Sequence, residues 1–312
     1  MVLIRPVLIG VAFALCVASA ACADDTRQCN VGADCASGAC SLAGMCLPEA
    51  DDGGTGKDGA TDAPHGDTSM LPDSGVPEGS CITSDSGTIL ASQVVLMAGL
   101  HATFRFAENV TVSTAGETLA DGSRVWDLSG ALAGDQDVLI ETLPPAGTWY
   151  ASAFPDSSYA ALLSNTTNLL GVFQVTPSGL NLQGVVSPES GAEQTKLTYS
   201  PSVTTLEFPL IQGASWSTDA TVTGTAEGVY GVYTEDYQSS VDAHGTMKTP
   251  LATFDVLRVG TVLTRTVGFT ITVIRSFLFA TDCYGPIATI TSQDDETSEE
   301  FTSAAQVQRI AP

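Results

Sequence analysis

Phe269-Thr-Ile-Thr-Val-Ile-Arg-Ser-Phe-Leu-Phe-Ala-Thr-Asp-Cys283 is the stretch that decides the fold class. Phe269, Ile271, Val273, Phe277 and Phe279 alternate with Thr270, Thr272 and Ser276, the period of two that belongs to a strand. Ile274 and Leu278 put apolar groups on the second face as well, so this is expected to be a central strand covered at least partly on both sides. Val267-Gly268, just before it, reads as a tight turn. Outward from this strand, short alternating runs predict further strands near 203 to 210, 214 to 224, 228 to 240, 251 to 259, 261 to 266, 286 to 292 and 304 to 310. Trp216, Ala220 and Val222 share one face of the second of these, opposite Ser215, Ser217, Asp219, Thr221 and Thr223. Close spacing without intervening helices implies antiparallel neighbours in a meander.

The segment 87 to 198 is also β-rich, with strands expected near 93 to 98, 100 to 106, 110 to 113, 123 to 128, 137 to 142, 159 to 163, 169 to 175 and 179 to 186. Pro144-Pro145 and Phe154-Pro155-Asp156 mark loops. The expectation is an all-β domain over 81-312, an antiparallel meander closing into a half-barrel or a sandwich, with a sub-boundary near 200 left open.

The chain has 312 residues, 44% of them hydrophobic, enough for one large core or two modest ones. Against 35 acidic residues stand only 11 basic ones, a net charge of -24. Nucleic acids and anionic lipid are bound through Lys and Arg that displace counterions, so no nucleic-acid partner is expected.

Residues 1-21 have the layout of a secretory signal peptide: Arg5, an apolar run from Val7 to Val17, then Ala18-Ser-Ala-Ala-Cys22. Cleavage before Cys22 would leave its thiol to carry lipid, while cleavage after Ala20 or Ala23 would release the chain. Within 22-46, Cys29, Cys35, Cys40 and Cys46 are spaced C-x5-C-x4-C-x5-C, among residues too polar and small to build a core. Cross-links are what can order such a segment. Zinc is disfavoured, because the spacings exceed the usual ligand pair and no His lies within the cluster. Residues 47-80 hold 7 Gly, 4 Pro and 8 acidic residues in 34, the composition of a disordered acidic linker spanning roughly 30 Å. The spacing of Asp51, Asp52, Asp58, Asp62 and Asp67 lacks the regularity of a calcium loop. Cys81 and Cys283 have no local partners; a bridge between them would close a loop of 203 residues, worth at most about 5 kcal/mol on the chain-entropy account.

Four resemblances accompany these residues. Ser19-Ala-Ala-Cys22 resembles the lipobox of bacterial lipoproteins, with Ser19 where that family usually has Leu, and Cys29-Asn-Val-Gly-Ala-Asp-Cys35-Ala-Ser-Gly-Ala-Cys40 resembles the small Cys-rich module behind the lipidation site of many Gram-negative lipoproteins. Trp126-Asp-Leu-Ser129, Phe154-Pro155, Val175 to Leu182, Phe208 to Trp216 and Thr249 to Arg258 are similar to phrases of large secreted all-β bacterial proteins. Thr249 to Arg258 is also similar to a segment of half-barrels of the lipoprotein-carrier type, whose curved sheet wraps apolar ligand. These imply an exported, lipid-anchored protein of the outer membrane or cell surface, alternatively periplasmic or secreted, and carry no catalytic residues.

Catalytic constellations are scarce. His65 lies in the linker, His101 on the outer face of a strand and His244 in an expected turn, Asp242-Ala-His-Gly245; Gly213-Ala-Ser-Trp-Ser217 lacks the second Gly of a nucleophile elbow. Neither a zincin motif nor a phosphate-binding glycine loop is present, so no metal or cofactor is expected and the chain does not read as an enzyme. Asp294, Asp295, Glu296, Glu299 and Glu300 read as a solvated hairpin loop. Arg258, Arg265 and Arg275 are expected to pair across strands with acids such as Glu227 and Glu235. Trp149, Tyr150, Tyr230, Tyr233 and Tyr237 are the candidate ligand platform, with core packing as the alternative. Two further readings stay open: a carrier of an apolar ligand in a curved sheet, needing an enclosed apolar pocket, and a secreted hydrolase, needing two carboxylates facing one cleft.

Overall fold

The computed structural model describes residues 87-312, so the expectations placed on the signal peptide, Cys22, the cluster Cys29, Cys35, Cys40 and Cys46, the linker and Cys81 lie outside the described residues. Within them the strands are β1 (Thr88–Ile89), β2 (His101–Thr111), β3 (Glu117–Thr118), β4 (Arg124–Asp127), β5 (Gln136–Glu141), β6 (Tyr159–Leu162), β7 (Leu170–Thr176), β8 (Gly179–Val186), β9 (Lys196–Glu207), β10 (Leu210–Ile211), β11 (Ser215–Ala226), β12 (Val229–Lys248), β13 (Thr253–Val267), β14 (Thr270–Thr281), β15 (Gly285–Ser292) and β16 (Ser303–Ile310). Only two short 3-10 turns, Ala151–Ala153 and Ala91–Gln93, interrupt them.

The all-β antiparallel meander is present. Twelve strands follow one another in the order β5-β2-β16-β15-β14-β13-β12-β11-β9-β8-β7-β6. The two end strands nearly meet: Leu143, just beyond β5, exchanges both backbone hydrogen bonds with Ala160 of β6, at 2.7 and 2.9 Å. The sheet is therefore a nearly closed barrel, which hides most of the edge that an open sheet would expose. β9 runs through residue 200 and pairs with both β8 and β11, so one sheet carries strands from either side of it.

The deciding stretch behaves differently along its length. Phe277 and Phe279 face Trp126, Met247, Val256, Ile290 and Val307. Leu278 and Ala280 face the other way, with Leu257, Val259, Leu206, Phe208, Ile89 and Val94. This half is covered on both sides, as the alternation implied. Phe269, however, lies in the β13-β14 turn and is fully exposed, and Ile271 is exposed too. The pattern continues past the length of sheet that other described residues cover.

Several boundaries also differ from the sequence reading. β12 runs on through Asp242-Ala-His-Gly245, which is strand rather than turn; the register shifts between Val241 and Ala243, a bulge that leaves Asp242 out of the ladder. Gly245 permits the parallel pairing of β12 with β4, since a Cβ there would lie 1.8 Å from the carbonyl oxygen of Arg124. The expected break at 260 is absent: Gly260 sits within β13, where a Cβ would meet the Phe277 ring and Asp242 at 3.2 Å. Its glycine marks a close approach, not a strand end. The strand expected at 93-98 is absent: Gln93 ends a 3-10 turn, and only Val94 forms a bridge, to Cys283.

Arg258 ties one end of this assembly together. Its side chain is 2% exposed and donates to Asp242 at 2.9 and 2.8 Å and to Glu300 at 3.1 and 2.8 Å, while Nη1 also donates to the carbonyl of Thr114 at 2.6 Å. The Phe277 ring lies 4.0 Å and the Trp126 ring 5.5 Å from its guanidinium carbon. Glu300 also accepts from Arg124 at 2.7 Å and from the Thr114 hydroxyl at 2.8 Å. The far loop and the β3-β4 segment are thus clamped onto the sheet by one network.

Candidate functional site

The β11-β12 hairpin closes through Glu227-Gly228, both at positive φ (50° and 78°), as the tight two-residue turn of a twisted hairpin requires. With Ala226 opposite Val229, counting outward places Asp219 directly opposite Asp236, Ser217 opposite Gln238 and Ser215 opposite Ser240. Opposed residues share a face. The other face of β11 is the apolar one, with Thr218, Ala220 and Val222 buried, which confirms the facing read from the sequence.

On the polar face an open groove of about 670 Å³ crosses β11 to β14. Trp216, Gly260, Val262 and Phe277 contribute the apolar part of its lining; the rest is polar and includes serine and threonine hydroxyls, the amide of Gln238 and the carboxylates of Asp219, Asp236 and Glu299. Arg275 is the one basic residue lining it. Its Nε donates to the carbonyl of Glu296 at 3.1 Å. Asp242 at the groove's end is held by Arg258. Asp236 accepts only from Gln238, at 3.1 Å, and neither it nor Asp219 has a cationic partner among the described residues. Like charges directly opposite on neighbouring strands are unfavourable, so this pair opposes the sheet that presents it.

The sequence-read aromatic residues fall in separate places. Tyr150 is buried and Trp149 half-buried against it, ring centres 5.7 Å apart and edge to face, with the Trp149 indole donating to the carbonyl of Ser187. Tyr237 and Tyr233 pack on a satellite core with Tyr199, Val203 and Val222. Tyr237 donates to Glu235, and the Arg265 guanidinium lies over Tyr233 at 5.9 Å. Burial pushes the Tyr199 and Tyr237 phenols well above their usual range, so both stay protonated. Tyr230 is exposed at the hairpin tip. These five side chains are not brought onto one surface.

Arg265 pairs with buried Glu235 at 2.6 Å, the cross-strand partner the sequence offered. Arg258 is held by Asp242 and Glu300 instead, and Glu227 serves in a turn. The acidic loop is only partly solvated, since Glu300 turns inward. Burial by itself would raise the Glu300 carboxyl, but hydrogen bonds from Arg258, Arg124 and Thr114 outweigh it and hold it below the ordinary range. Compared with protein-family models, with curated proteins and with solved structures, the chain finds no match. The groove's chemistry has to be argued from its own side chains.

Among the described residues no group of three or more His, Cys, Asp or Glu side chains is placed to hold a metal ion, and no helix is long and apolar enough to cross a membrane. The Asp219 and Asp236 pair escaped the sequence reading, although the Glu-Gly turn carried the signal: a two-residue turn fixes every opposed pair of its hairpin. A second hollow, lined by Leu90, Val175, Pro177, Phe208 and Pro209, is more open than the groove.

Proposed function

We propose that this is an exported, lipid-anchored envelope protein that works by binding, without a cofactor or catalytic step, and that the groove across β11 to β14 is its ligand surface. The observation that carries the reading is the Asp219-Asp236 pair: two carboxylates set opposite each other in an open polar groove, neither of them ion-paired among the described residues although Arg275 lines the same groove. In a chain so short of Lys and Arg, a positively charged, hydrogen-bonding ligand supplies what the fold withholds. The hydroxyls and amide beside the pair suit an amine-bearing sugar or a short basic peptide. Calorimetric titration with amine-bearing and neutral oligosaccharides tests this. Binding of the amine-bearing probes, weakened at high salt and lost in Asp219→Asn/Asp236→Asn, is the expected result, and equal affinity for neutral probes would contradict it.

The anchor belongs to the same proposal and rests on the Ser19-Ala-Ala-Cys22 string and the Cys-rich segment behind it. So does a Cys81-Cys283 bridge: Cys283 is disulfide-bonded and its partner lies outside the described residues. Intact mass of the protein from the native membrane fraction, with and without reduction, is the check. Acyl mass on a chain beginning at Cys22, with six protons gained on reduction, is expected.

The hydrolase reading also gains an observation, because two carboxylates do face one groove. A general acid of that chemistry, however, sits in a desolvated setting, and Asp219 is exposed. Release of reducing ends from any of the same oligosaccharides would favour the hydrolase over binding alone. The carrier reading needs an enclosed apolar pocket, whereas both hollows are open and the larger is mainly polar.

A further inference from the structure

We propose that the neighbouring tips of the β11-β12 and β13-β14 hairpins form a wedge that inserts into the interface of an electrically neutral lipid bilayer. The six apolar side chains concerned are Val229, Tyr230, Val232, Val267, Phe269 and Ile271, all exposed, with Phe269 at 107% of its reference area and so touching almost nothing. Register puts them together. Thr234 of β12 lies opposite Thr266 of β13, and Thr266 lies opposite Ile271 of β14, so the Gly268-Phe269 turn sits beside Val232 and Tyr233. By strand alternation Tyr230, Val232 and Ile271 share one face, and Val229 and Val267 point to the other. The β8-β9 loop abuts the Glu227-Gly228 turn, where the Gly228 N–H donates to the Gln194 carbonyl at 3.3 Å, and still leaves these apolar groups exposed on both faces.

Charge sharpens the case. From Ala226 to Thr234 and from Thr266 to Val273 the one ionised side chain is Glu227, in a chain whose net charge is -24. Carboxylate residues of other segments also border them: the backbone of Glu193 abuts Gly228, and Asp295 accepts from the Val273 N–H at 3.1 Å, so the apolar character of the tips rests on the six side chains themselves. The six side chains offer about 800 Å², but a protein surface meeting one face covers only about half of that, short of the ~800 Å² per partner of a stable interface. A fluid bilayer surrounds both faces at once. Tyr and Phe are also the residue types that settle at the boundary between headgroups and hydrocarbon.

The test uses the mature chain carrying Cys22→Ala, so that no acyl group contributes, in co-sedimentation with phosphatidylcholine vesicles at low and at high salt. Expected are binding that salt does not weaken, a fall of at least about tenfold in partitioning for Phe269→Asp and for Ile271→Asp, and no change for Leu139→Asp, an exposed apolar residue on β5. No binding by the parent, or an equal fall for Leu139→Asp, overturns the wedge. Circular dichroism and thermal unfolding of each variant separate lost contact from lost fold. Native protein without acyl mass on Cys22 removes the anchor reading alone, because the Cys22→Ala vesicle result decides the wedge without it.

Discussion

The same four strands, β11 to β14, end in two very different ways. At the Arg258 end a buried cation is fully partnered: Arg258 sits between Asp242, Glu300, Phe277 and Trp126. Toward the turns, Asp219 faces Asp236 without a cation and Phe269 stands in solvent. Folding has partnered the buried cation at one end, and at the other has left a carboxylate pair without a cation beside the paired Arg265 and Glu235. Local choices in a protein usually agree with its fold, and the places where they do not are where function is sought.

The largest blow to the partnered end is Arg258→Met. It strands Asp242 and Glu300 beside a core, and a loss of about 2–4 kcal/mol in unfolding free energy is expected from urea denaturation. Because the groove lies on the same strands, a variant as stable as the parent would mean that the two ends do not differ as described. Gly245→Ala comes next. Its Cβ would meet the backbone of Arg124 at 1.8 Å and force β4 away from β12. A cost of about 2–3 kcal/mol follows, with hydrogen exchange quickened at Arg124–Asp127 and unchanged in the β11-β12 turn.

Acid distinguishes the two ends more gently. The Glu300 carboxyl is held below its ordinary range in the folded protein. Its contribution is therefore complete above the unfolded carboxylate range and is lost as pH falls through the depressed folded value. Glu300→Gln should remove about 1–2 kcal/mol at neutral pH and flatten the acid limb of the stability profile. Parallel acid limbs for parent and variant would show that the clamp owes nothing to that charge.

Much of the fold was legible because it is local. Alternation gave β14 and its two faces, and Val267-Gly268 gave the turn, since Gly268 at φ 60° takes the position where a two-residue hairpin wants glycine. What was lost depended on contacts distant in sequence. The pairing of β2 with β16 and of β4 with β12 leaves no periodic trace. Gly245 and Gly260 look like breakers until the backbone or ring that approaches them is known. Glu300 looked like one more acid in a loop because Arg258 lies 42 residues away. Phe269 misled for the opposite reason: its alternation was genuine, but no described residue covers its ring. In the groove, residue identities and facing were readable, and the opposition of Asp219 to Asp236 needed only the register of one hairpin.

The central claim is that the open end of the sheet is kept for binding at some cost to the fold. Thermal and urea unfolding of Asp219→Asn/Asp236→Asn, without any ligand, tests it most directly. Removing two opposed charges from an exposed cross-strand pair should leave stability unchanged or raise it by about 0.2–1 kcal/mol. A clear loss of stability would show that the two carboxylates hold the sheet together, and would contradict the account.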